Sequence, residues 1–119
     1  MALKVVSSGG TVYISENVIA NIAGSAAMEC YGLIGMAARK QLKDGIAELI
    51  GKENLRRGIE VQQGEDGLQV NLHIIVSYGT KISEVASNVQ SKVKYVLQEM
   101  LGLQVGSVNV FVQGVRVTG

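Results

Sequence analysis

At 119 residues with 47% hydrophobic side chains, the chain is large and apolar enough to bury a core without disulfides or metal, and too apolar to be disordered. A formal charge of +1 offers no bulk attraction for nucleic acid or an anionic membrane. A single cysteine excludes an internal disulfide and fits a reducing compartment; with no proline and fifteen glycines, elements must be punctuated by glycine and small polar residues.

The first ten residues, MALKVVSSGG, carry one lysine and no apolar h-region, so they do not read as a signal peptide. No apolar run is long enough to span a bilayer. A cytoplasmic location is therefore expected, peripheral at the membrane only through a partner. Gly10 to Ile14 alternates and predicts a short strand. Ser15 is a good N-cap and Glu16 suits a helix N-terminus, so a helix is expected from Glu16 to about Cys30. Val18, Ile22 and Ala26 recur on it, beside Ile19 and Ala23.

Residues 36–57 are less regular. Leu42, Ile46, Leu49 and Ile50 have helical spacing, weakened by Gly45 and Gly51. A helical excursion at about 38–56 is the expected reading, with a short strand at Leu33 to Ala37 as an open alternative. A hairpin follows: Ile59 to Gln63, a Gly64-Glu65-Asp66-Gly67 turn, and Leu68 to Tyr78. In the second strand Leu68, Val70, Leu72, Ile74, Val76 and Tyr78 face one way, and Gln69, Asn71, His73, Ile75 and Ser77 the other. Thr80 is expected to cap a helix from Lys81 to Leu101. Its stripe runs from Ile82 through Val85, Val89, Val93 and Leu97 to Met100, and Gly102 stands at the C-terminal cap. The last strand is Ser107 to Val112.

This order predicts a single α+β domain over residues 1–119. It would hold an antiparallel sheet of about four strands with two main helices on one face, in split β-α-β, ferredoxin-like order, plus the excursion.

The motifs carry little chemistry. Gly32-Leu33-Ile34-Gly35 has the spacing of a KH-type clamp, which holds a nucleic-acid backbone. Leu33 and Ile34 cannot neutralise phosphate, however, and the competing reading is a helix stop followed by core residues. Cys30 lies at a helix C-terminus, where the dipole opposes thiolate formation. His73 is the only histidine, so no zinc site is expected; no carboxylate pair, P-loop or dinucleotide motif is present. No catalytic residue, metal or cofactor is expected. Arg39, Lys40, Lys43, Lys52, Arg56 and Arg57 form a basic cluster interleaved with Asp44, Glu48 and Glu53, as in solvated, ion-paired helices. Within it Arg39, Lys40, Lys43, Arg56 and Arg57 are the candidate anion or RNA contacts. The remaining feature is the sheet face away from the helices, where Tyr13, His73, Ile75 and Phe111 form a candidate protein-interaction face, unless the excursion folds over it.

The segments GTVYISENVIANIAGSAA, VNLHIIVSYGTKISEVASNVQSKVKYVLQEMLGL and VNVFVQGV resemble the alkaline-shock, or Gls-type envelope stress, family of Gram-positive bacteria. The most specific block is Val76, Tyr78, Gly79, Ile82, Glu84 and Val85. The resemblance implies a small, non-enzymatic cytoplasmic protein acting in envelope stress or homeostasis through protein contacts, with a link to lipid metabolism in some members. A membrane-anchored protein and a homo-oligomer are the expected partners; nucleic acid and a direct membrane span are not expected. The alternative function is a KH-like RNA-binding module using Gly32 to Gly35 and the basic cluster.

Overall fold

The computed structural model describes residues 2–37, 49–50 and 58–117. The chain opens with a two-stranded antiparallel hairpin, β1 (Ala2–Ser7) and β2 (Gly10–Ser15). Helix α1 (Glu16–Met28) starts where Ser15 Oγ accepts the Val18 N–H at 3.2 Å, satisfying one of the unpaired amides of the first turn. Its buried face is made of small residues, Ala20, Ala23, Gly24, Ala26 and Ala27, with Ile19. That composition lets the helix axis approach its neighbours closely. Val18, expected on this stripe, is exposed.

A turn at Gly32 leads into β3 (Leu33–Ala37), which pairs with β4 (Leu49–Ile50) on one side and with β6 (Gly67–Ser77) on the other. The alternative reading of Leu33 to Ala37 as a strand is thus the one realised. The expected helical excursion at 38–56 lies outside the described residues, apart from Leu49 and Ile50, which are extended instead of helical. The hairpin β5 (Ile59–Gly64) and β6 (Gly67–Ser77) forms as its alternation and Asp-Gly turn predict. Helix α2 (Ile82–Leu101) ends at Gly102, left-handed at φ 66°, whose N–H donates to the Gln98 carbonyl. Thr80 does not cap it: its hydroxyl donates back to the Ser77 carbonyl at 2.7 Å, and Lys81 holds the N-cap position without a side-chain bond. Strand β7 (Val105–Arg116) closes the fold and is twice the expected length.

The class is α+β, as the sequence predicts, and both helices pack on one sheet face. The pairing differs from the expectation in two ways. Strand β2 joins β1 in a separate hairpin instead of the main sheet. Strands β6 and β7 are parallel neighbours, from Leu68↔Val105 to Ser77↔Arg116, so α2 is a direct crossover between adjacent strands. β6 is therefore central. β7 runs along one edge, while β5 and β3 share the other, pairing with its first and second halves. Gly58 stands where those two strands meet: a Cβ there would lie 2.6 Å from the Ala37 carbonyl oxygen, so only glycine fits.

One core fills the space between helices and sheet. Leu68, Val70, Leu72, Ile74 and Val76 of β6 meet Val85, Val89, Val93 and Leu97 of α2 and the small face of α1. Leu3 and Ile14 attach the first hairpin to it. Ile82, Met100 and Tyr78, all placed by periodicity on core-facing stripes, are exposed.

Candidate functional site

The sheet face away from the helices holds the one cluster of interacting polar and aromatic side chains among the described residues. It is built from residues of β5, β6 and β7 that the strand period turns away from the core. Asn109 Nδ2 donates to Asn71 Oδ1 at 2.9 Å across the parallel pair. One step along, Gln113 Nε2 lies 3.0 Å from His73 Nδ1, and His73 Nε2 lies 3.3 Å from Glu60 Oε1. With Gln113 donating to Nδ1, the ring proton sits on Nε2 and is donated to Glu60. The imidazole stacks on Phe111, centroids 5.0 Å apart and planes 15° from parallel. His73 is held on three sides, its side chain 12% exposed against 42% for Glu60. Phe111 is 44% exposed, so one ring face lies on His73 and the other is open.

Two residues expected on this face are placed otherwise. Ile75 is fully buried, in a small second cluster with Ala37 and Ile34. The cause is β3: it pairs Gly35 with Ile75 through a bulge, which brings Ile34 and Ala37 onto Ile75. Tyr13 is exposed on the separate first hairpin, opposite Lys4, whose Nζ lies 6.0 Å from the ring centre. The structure thus brings together His73 and Phe111, adds Glu60 and Gln113 as the partners of the histidine, and leaves Ile75 and Tyr13 out. Glu60 escaped sequence reading because β5 is too short for its alternation to say which neighbour it meets. Arg39, Lys40, Lys43, Arg56 and Arg57 lie outside the described residues.

The Gly32 to Gly35 tetrad is not a loop. Gly32 has φ +88° and its carbonyl accepts the Ser77 N–H at 2.8 Å, while Leu33 to Gly35 are already strand. A clamp for a nucleic-acid backbone needs free amides on a projecting turn, which this geometry lacks. Cys30 is half-buried, its Sγ 3.8 Å from the Ala26 carbonyl oxygen. Burial pushes its thiol up; nearby Lys92 opposes this and Glu29 adds to it, so the group stays protonated at neutral pH. Among the described residues no three His, Cys, Asp or Glu side chains are placed to share a metal ion, and no helix is long and apolar enough to cross a membrane. A cleft of about 350 Å³ runs between α1 and α2, lined by Ile22, Ala26, Val96 and Met100 with Asn21 and Glu29 at its rim. It opens at the border of the core, to which Ala26 belongs and against which Ile22 and Val96 pack.

The fold is that of a small α+β domain, with two helices on one face of its main sheet. Residues 4–117 match the model of the alkaline shock protein 23 family, described as having a cell envelope-related function, and the chain belongs to that family, consistent with its resemblance to alkaline-shock proteins. It is similar to the protein YloU of Bacillus subtilis, 52% identical over 118 residues, which covers 99% of this chain and 98% of that one. It is 40% identical over 119 residues to Spy1614 of Streptococcus pyogenes, covering 100% of this chain and 98% of that one. A stress response regulator gls24 homolog of the same species is 28% identical over 109 residues, covering 90% of this chain but 59% of the longer relative.

Proposed function

We propose that this protein is a non-enzymatic interaction or scaffold domain that acts in cell-envelope stress and homeostasis by holding other proteins, one of them anchored in the membrane. The observation that supports this is the exposed Phe111 beside a histidine fixed by Glu60 and Gln113. A rigid aromatic standing on an ordered polar patch is what protein interfaces select, because it buries area at little entropic cost. Envelope-related membership of the family points the same way. The histidine's hydrogen bonds to Glu60 and Gln113 hold its ring against Phe111.

In-cell crosslinking with mass spectrometry tests the reading. Wild type should yield a reproducible set of envelope-protein neighbours, and Phe111→Asp should lose most of them while its circular dichroism spectrum is unchanged. An identical set of crosslinks from the folded variant would remove this face from the proposal. A neighbour set without envelope proteins would remove the function.

A further inference from the structure

Strand β7 is the long edge of the sheet. Its inner edge is paired with β6 from end to end, and among the described residues no strand pairs with its outer edge. It contains no proline and no lysine, and its one charge, Arg116, is at the end; bulges at Gly106 and Gln113 interrupt it and leave 107–112 as its regular stretch. Gln90 Nε2 reaches from α2 to the Val108 carbonyl at 3.0 Å, so that carbonyl points away from β6. Carbonyls alternate along a strand, so those of Val110 and Val112 point outward too. The Arg116 carbonyl, beyond the bulge, points inward to the Tyr78 N–H.

We propose that this outer edge pairs with β7 of a second copy of the chain, antiparallel, about a two-fold axis at Phe111. The inference rests on the reading of the chain as an interaction domain and names the partner of that same site. Three observations select this register. First, the outward main-chain groups of Val110 then meet those of Val112 in the other copy and the reverse, which gives two hydrogen-bonded pairs flanking the axis. Second, Phe111 meets Phe111 of the second copy as a close, non-hydrogen-bonded pair, so the open ring face gains an aromatic neighbour and the two histidine-backed rings form one stack. Third, opposite charges flank the strand: Arg116 is its last residue, and the acidic β5–β6 turn lies at its start. Gly106 packs against Asp66 of the β5–β6 turn, a Cβ on it lying 3.1 Å from Asp66, with Glu65 beside it in the sequence. Antiparallel pairing brings Arg116 of one copy to that acidic turn of the other, twice by symmetry; parallel pairing would set like charges together.

The bulge at Gln113 and the Gln90 contact confine the pairing to the middle of the strand, so the contact is small and reversible. Sedimentation equilibrium of the purified full chain over roughly 1–500 µM, the range a small interface demands, should show the mass rising from one chain to two. Val112→Pro removes one outward N–H without touching the β6 ladder, and should weaken the dimer at least about tenfold. Arg116→Glu should weaken it as well, and Arg116→Glu with Asp66→Arg should restore it. Register is read separately: in a Cys30→Ala background, Phe111→Cys should oxidise readily to a covalent dimer, since Cα atoms of such a pair are about 4.5 Å apart. Gln113→Cys should not.

A wild-type chain that stays monomeric throughout, or a dimer indifferent to both Val112→Pro and Arg116→Glu, overturns the inference. If the chain is monomeric while Phe111→Asp still loses its envelope crosslinks in cells, the interaction reading stands and the edge serves a different partner.

Discussion

His73 and Phe111 show how much a single position can say. Alternation in β6 and β7 placed both on the outer face, but nothing local disclosed that the imidazole would be fastened by Glu60, thirteen residues away, and by Gln113, forty away. Gly32 carries a sharper lesson. Its spacing to Gly35 suggested a clamp, whereas the structure gives it a steric duty: a Cβ there would lie 2.7 Å from Val85 Cγ2, on a backbone already at φ +88°. Gly32→Ala should therefore lower stability by roughly 1–3 kcal/mol, seen as a reduced thermal midpoint. A stable, fully folded Gly32→Ala would contradict that assignment. Cys30 belongs to the same scale. Because burial raises its thiol pKa, alkylation at pH 7.5 should be slower than for the cysteine of the unfolded chain, and its rise with pH should come later.

At the level of elements, helix α2 separates periodicity from burial. Val85, Val89, Val93 and Leu97 are spaced by four and buried, whereas Ile82 and Met100 share the sequence pattern and are exposed. Leu97→Ala should cost roughly 2–4 kcal/mol in chemical denaturation, and Met100→Ala no more than about 0.5 kcal/mol. Helix α1 is tied to Ser15, so Ser15→Ala should cost about 1 kcal/mol. Equal losses from Leu97→Ala and Met100→Ala would mean that the α2 stripe extends further than the structure places it. The first hairpin strand, Ala2–Ser7, went unread although Leu3 and Val5 alternate before the Ser8-Gly9 turn. Strands this short gain their stability from what they pair with, and the signal of one partner alone is weak.

For the whole molecule, the central position of β6 organises both stability and function. It is hydrogen-bonded to β3, β5 and β7, and one of its faces is wholly core. Its amides should be the slowest to exchange with deuterium, and those of the β1–β2 hairpin among the faster, since the hairpin is a separate sheet attached through Leu3 and Ile14. Faster exchange in β6 than in β1 would refute this ranking. The same centrality leaves β7 as the long edge, which is why the exposed aromatic and the outward amides gather on one strand.

The sequence by itself determined the class, the two long helices, the β5–β6 hairpin, the inward set of β6 and the family. Each of these follows from local period, caps and turns, or from residues that stand together in the chain. Only the tertiary structure decided that β6 and β7 are parallel neighbours, that β2 leaves the main sheet, that Ile75 is covered, and that His73, Glu60, Gln113 and Phe111 share one site. Period fixes which face a side chain takes, but pairing and coverage depend on contacts between residues far apart in the chain, and one strand–helix–strand order is compatible with more than one of them.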